Sequence, residues 1–456
     1  MRFIGFLSLV AATILGTFLL GWTPQQILAT SIFGSFIFGT LLYWRFRLAF
    51  ALIGTLALLA TGVIDLPSLI EFASLDVILF LIGMMIIIGF LEERKFFEAI
   101  VERFLGRFLH RTALLVGGLM VVSAVTAALV DEVTSILFMS AITLQIARRY
   151  HVNPVPFIIM IVFATNIGSS ATVVGNPIGV LIAFRGGLTF VDFLRWATPI
   201  AIISLGLCIP LAMWYFRSEI GQLRDIIKAT PPSPHVAVAR LSRSDAYICT
   251  ALFLGTIVGL IFHHNLEVLL GIEKNSLLVG VALGGAGTAL LIEQQGAREL
   301  VSKRVDWWTL TFFMLLFASV GTLKFVGVTG QIAKAFLQIS GQEILLLGVV
   351  TWGSGILSAF MDNVLAVATI IPVLSDLQAL DVPVEPLWWG LLFGGTFFGN
   401  ATMVGSTANI VALGILERDE KRHVSFLEWL KPGLLVGIPT LLLAQILLSI
   451  QFFLLR

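Results

Sequence analysis

The chain has 456 residues, 58% of them hydrophobic and 12% charged, with a formal net charge of +1 and a mean hydropathy of +1.00. That composition places it among polytopic helical membrane proteins and excludes the string of soluble domains its length alone would allow. A charge so near balance, with basic residues confined to loops, argues against a nucleic-acid partner.

In chain order, apolar runs at 3–22 and 27–44 come first. Arg2 ahead of the first run mimics a signal peptide, but no A-x-A-like site follows, and Trp22, Thr23 and Pro24 read as an ordinary span end. Arg45 and Arg47 after the second run put the N-terminus in the cytoplasm by the positive-inside rule. A run at 48–64, a loop at 65–75 without Lys or Arg, and a run at 76–92 lead to a basic stretch at 94–111. There Phe96, Phe97, Ile100, Val101, Phe104, Leu105 and Phe108 recur at helical spacing among Arg94, Lys95, Arg103, Arg107 and Arg111, which predicts an interfacial amphipathic helix.

Runs at 112–130 and 133–147 meet at Asp131 and Glu132 and end at Arg148 and Arg149. With both ends cytoplasmic, they form either two full spans or a re-entrant hairpin. The segment 156–184 crosses outward, leaving Arg185 outside, and 197–216 crosses back. Residues 217–245, with Arg217, Arg224, Lys228, Arg240, Arg243 and prolines at 231, 232 and 234, read as a cytoplasmic linker. Cys208 and Cys249 lie in apolar runs as packing residues, and the six histidines show no metal-ligand spacing.

A repeat crosses that linker. Ser123 to Val133 matches Ser354 to Val364, aligning Asp131 with Asp362, and Ala171-Thr172-x-Val174-Gly175 matches Ala401-Thr402-x-Val404-Gly405. Phe193, Trp196 and Pro199 match Phe426, Trp429 and Pro432, so the offset stays near 230 residues. The first unit makes four crossings, so a directly attached copy would be parallel to it; an extra span at 246–263 reverses the second. Basic residues Arg298, Lys303, Arg304, Arg418, Lys421 and Arg422 then fall on the cytoplasmic side, as an inverted-topology repeat requires. The predicted fold is thus an all-α polytopic membrane protein with about 11 transmembrane segments. It divides into N-terminal helices at 1–47, a first repeat at 48–216, a linker and connecting helix at 217–275, and a second repeat at 276–456.

Both repeats carry a run of Gly, Ser, Thr and Asn inside an apolar segment, at 166–179 and 399–409. Backbone that leaves the helix at membrane depth survives only where protein or a watery cavity satisfies it, so these runs predict two broken helices lining a site. Candidate solute-binding residues are Asn166, Ser169, Ser170, Thr172, Asn176, Asn363, Asn400, Thr402, Ser406 and Asn409. If the hairpins are re-entrant, Asp131, Glu132 and Asp362 approach the midplane, where an Asp costs about 2.5–3.5 kcal/mol. Such groups are natural carriers of a proton or a sodium ion. If the pairs span fully, Asp131 and Asp362 lie hydrated on opposite surfaces. Glu92 and Glu93 beside Arg94 and Lys95 read as solvated charges, and Trp307, Trp308, Trp388 and Trp389 as aromatic-belt anchors.

The motif at 166–177, the Asp-Asn-Val at 362–364 and the motif at 399–409 together resemble the ion transporter superfamily, over nearly the whole of 48–456. That group includes arsenite and silicon efflux permeases, the melanosomal P protein, sodium/proton antiporters and dicarboxylate/citrate carriers. The resemblance implies two re-entrant hairpins, two broken helices, an elevator-like moving unit and often a homodimer; the chain is expected in the cell's inner membrane. Dicarboxylate carriers have Ser-Asn-Thr at both tips, whereas the acidic tips here are similar to those of sodium/proton antiporters. The Gly-Asn-Pro ending at Pro177 resembles the metalloid-efflux branch, with Gly179 standing where many relatives have Asn. The expected activity is proton-coupled export of a small inorganic solute of arsenite or silicic-acid type, with sodium/proton exchange second and carboxylate uptake third. No enzyme constellation and no cofactor beyond the coupling ion are expected.

Overall fold

The computed structural model describes residues 2–105, 111–229, 241–339 and 342–454. Arg107, Phe108, Arg240 and the three linker prolines lie outside the described residues. Nine helices among the described residues are long and apolar enough to cross a membrane, and shorter apolar helices include Val155–Ala171, Pro177–Gly186 and Asn363–Ala379.

The fold is organised around two hairpins and two broken helices. The first hairpin pairs Thr112–Leu129 with Glu132–Arg149, and the second pairs Glu343–Phe360 with Asn363–Ala379. Each turns sharply because an Asp starts its second arm. Asp131 Oδ1 accepts from the backbone N–H of Val133 at 2.7 Å and Thr134 at 2.9 Å, and Asp362 Oδ1 accepts from Val364 N–H at 3.0 Å. Such caps satisfy helix-end donors that no water would reach at depth. The broken helices run from Val155–Gly168 to Pro177–Gly186 and from Glu385–Phe397 to Thr407–Glu420.

The first arm of each hairpin packs on the first arm of its own repeat's broken helix. Small residues allow the close approach. A Cβ at Gly168 would run into the backbone of Ala124, and one at Gly394 into Ser354 Oγ and Thr351 O. The second arms exchange partners: Glu132–Arg149 packs on Thr407–Glu420, and Asn363–Ala379 on Pro177–Gly186. This reciprocal exchange makes the hairpins and broken helices one core unit with a pseudo-two-fold relation.

The flanking helices obey the same exchange. Arg47–Ala60 and Leu66–Phe72 pack on Trp307–Phe325, while Ser276–Glu293 and Ala297–Arg304 pack on Leu75–Glu93. The helix Arg243–Leu270, which supplies the reversing crossing, is longer than the apolar run that predicts it.

Several expectations change. The loop at 65–75 contains a short helix, Leu66–Phe72, capped by Asp65, and the linker begins with the helix Arg217–Ala229. The amphipathic helix is Phe96–Leu105, and its counterpart Val328–Ile339, unexpected from the sequence, precedes the second hairpin. Glu92 and Glu93 are not simply solvated: both oxygens lie 3.1 Å from Arg304. Arg94 instead reaches Glu293 at 2.6 Å. Trp388 and Trp389 are buried in the core unit rather than at its rim, with Trp389 edge-on to Phe193 at 5.0 Å. Trp307 and Trp308 are exposed, as belt residues are. Both cysteines are buried and free.

Candidate functional site

The hairpin tips meet. Asn363 Nδ2 donates to Glu132 Oε1 at 3.3 Å, and both residues, like Asp362, are only 1% exposed. This contact decides between the two readings of the paired runs, since full spans would leave the acidic pairs on opposite surfaces.

Four helix N-termini converge at this point, those of the two second hairpin arms and of the two second broken-helix arms. Their caps are Asp131, Asp362, Asn176 and Ser406. A chain of hydrogen bonds links them. Thr407 Oγ1 donates to Asp362 Oδ2 at 2.7 Å, Ser169 Oγ to Glu132 Oε2 at 3.3 Å, and Asn176 Nδ2 to Ser169 Oγ at 2.9 Å. Helix N-termini carry partial positive charge, so their convergence favours oxygen acceptors. Three carboxylates stand among them, Glu132 and Asp362 buried and Asp131 half-buried, and among the described residues none has a Lys, Arg or His partner. A buried carboxylate without a counter-charge takes up a proton or a metal cation readily.

Asn166 joins the two breaks. Its Nδ2 donates to Asn400 Oδ1 at 2.7 Å and Asn409 Oδ1 at 2.8 Å, and its Oδ1 accepts from Ser406 Oγ at 3.0 Å. Asn409 Nδ2 in turn donates to Gly399 O at 2.9 Å and Thr402 O at 2.8 Å, and Asn400 Nδ2 to Phe163 O at 3.2 Å. The Asn400 and Asn409 amides therefore hold the unwound backbone. Thr172 and Thr402 each donate to a hairpin carbonyl, Ala128 O and Ala359 O respectively, clamping each hairpin to its own break. Ser170 stands apart from the network, its hydroxyl donating within its own helix to Ile167 O at 2.8 Å.

The sequence reading missed Thr407, although it stands in the same polar run as Ser406 and Asn409. It also missed Trp429, whose Nε1 donates to Asn400 O at 3.0 Å from a fully buried position. The repeat contained a signal, because Trp429 aligns with Trp196. That partner does different work, stacking on Phe452 at 4.6 Å.

Residues 36–394 match the citrate transporter (CitMHS) family. The chain belongs to that family. It is a transporter of the ion transporter superfamily. An uncharacterised transporter of Mycobacterium tuberculosis is 34% identical over 395 residues, spanning 83% of this chain and 87% of that protein. The human P protein is 26% identical over 461 residues, spanning 84% of this chain and 55% of that longer protein. The crystal structure of the YdaH transporter of Alcanivorax borkumensis, described as having an unusual topology, shares the fold. It superimposes with a TM-score of 0.56 at 15% identity, over 84% of this chain and 86% of that one.

Proposed function

We propose that this chain is a proton-coupled antiporter of a small, oxygen-rich inorganic solute of the arsenite or silicic-acid type. The observation that carries the reading is the meeting of four capped helix N-termini with three carboxylates that lack basic partners. A neutral oxyacid suits both halves of that site. Its oxygens accept from N–H and amide donors, and its hydroxyls donate to ionised Asp131, Glu132 or Asp362. Protonation of the same carboxylates removes those acceptors, so solute and proton compete. Competition for one site is the thermodynamic basis of exchange. The core unit would carry the site past the flanking helices in the inner membrane, with the N-terminus in the cytoplasm.

A second reading is favoured by the family's description as citrate transporters. A carboxylate repels ionised acids, so its binding requires them protonated, and proton and solute then travel together. Sodium at Asp131 and Asp362 would make the same acids the seat of sodium/proton exchange.

The sign of proton movement separates these readings. In proteoliposomes with an internal pH dye, an inward gradient of arsenite or silicate should drive protons out. Citrate that drives protons in establishes the second reading, and a response to sodium or lithium alone establishes cation exchange. Asp362→Asn should abolish the coupled signal while the protein remains folded and inserted; full coupling in that variant rejects the carrier role of this group.

A further inference from the structure

A cavity of about 330 Å³ opens between the core unit and the flanking helices, and none of Asp131, Glu132, Asp362 and Asn363 lines it. Its flanking wall carries Glu71 and Lys324, and its core-unit wall carries Arg185 on the second arm of the first broken helix. Between them the lining mixes apolar side chains, including Phe317, Leu181 and Ile371, with Ser74 and Ser375. The volume falls within the range of small-molecule sites.

The charges are what make it a site. Arg185 holds Asp76 with both terminal nitrogens, Nη1 and Nη2 each at 3.1 Å, and is thereby fixed at the rim. Among the described residues, no ion pair or hydrogen bond engages the ammonium of Lys324. At the opposite end of the molecule the repeat places Glu92 where Lys324 stands, and Glu92 is tied to Arg304 at 3.1 Å. The charge at that end is spent between two flanking helices, whereas the Lys324 ammonium is left unengaged beside a cavity.

We propose that this cavity is a second anion site, for a small organic carboxylate, separate from the site at the hairpin tips. The carboxylate would lie against Lys324 and the outward N–H groups of Arg185, with its carbon skeleton on the apolar wall. Glu71 would oppose it. Because the two cations belong to different parts of the molecule, a ligand there joins the core unit to the flanking helices and holds them in the observed arrangement. High carboxylate concentrations should then slow transport.

The test is calorimetric titration of citrate into the full chain in nanodiscs of phosphatidylcholine alone, so that no anionic lipid competes. Lys324→Gln should weaken binding about two- to fivefold and Glu71→Gln should tighten it by a similar factor, the changes expected of ion pairs made by solvent-exposed side chains. Asp362→Asn, at the tips, should leave this binding in place. Citrate binding that survives Lys324→Gln unchanged, or absence of binding in all the proteins, overturns the proposal. Anionic lipid that abolishes citrate binding through Lys324 would support the same site with a headgroup as rival occupant. The proton-flux experiment is read independently, so failure here leaves the transport reading standing.

Discussion

Asn363 and Glu132, 231 residues apart in sequence, are joined by a hydrogen bond of 3.3 Å between the tips of opposed hairpins. Glu132 receives one further hydrogen bond, from Ser169, and has no basic partner among the described residues. A carboxylate so placed weakens the fold and is available for chemistry.

Glu132→Gln should therefore separate the two roles. The amide keeps the size and the bond to Asn363 while removing a buried charge, which should raise stability by roughly 1–3 kcal/mol. Thermal unfolding in detergent should move upward as solute-coupled proton flux falls by about tenfold or more, the loss expected when a required proton-transfer group is removed. Unchanged flux would leave coupling to Asp131 and Asp362 alone.

Asn166→Ala should do the opposite. Deleting this amide strips partners from Asn400, Asn409 and Ser406 together. Each buried group left unsatisfied costs roughly 1–3 kcal/mol. The variant should melt well below wild type and transport nothing. A melting temperature within a degree or two of wild type would show that the breaks hold themselves apart from it.

Gly168→Ala and Gly394→Ala add one methyl each where backbone lies against the introduced carbon. Overpacking of this kind costs roughly 1–3 kcal/mol, more where only backbone can yield. Of the two, the three atoms nearest the added carbon at Gly168 all belong to the Ala124 backbone, whereas at Gly394 the nearest is a serine hydroxyl. Both variants should express poorly, Gly168→Ala the worse, as read by fluorescence-detected size exclusion.

Trp429→Phe removes one donor from Asn400 O and leaves the ring's bulk largely in place. A loss near 1 kcal/mol is expected, with solute affinity falling more than stability because the second break loses its strut. Equal affinity in wild type and variant would make Trp429 a packing residue only.

The sequence revealed the architecture where it broke its own apolar pattern. The Gly-Ser-Thr-Asn runs and the paired acids each report a departure from lipid-facing helix and mark the candidate site, while the constant offset reports the repeat. Whether the paired runs fold back could not be read from hydropathy. The arms Thr112–Leu129 and Glu132–Arg149 have 18 residues each, long enough to span a bilayer, and nothing in their composition records a tip inside the protein. The contact of Glu132 with Asn363 is information of pairing, not of composition. Trp388 and Trp389 were misjudged for a related reason: tryptophan near a span end suits a membrane interface and a packed core equally well. Arg304 as partner of Glu92 and Glu93 was hidden because adjacent Arg94 and Lys95 offered a nearer explanation.

The two breaks are not equivalent. In the second, Asn409 ties Gly399 O and Thr402 O through its amide. The repeat puts Gly179 in its place in the first, where a Cβ would lie 3.0 Å from Val173 O and 3.1 Å from Thr172 O. No side chain at 179 stitches that loop, so its amides should exchange with deuterium sooner than those of the second. Duplication supplied two copies of one device, and with Asn176 alone to stitch it the first break should be the more pliant of the two.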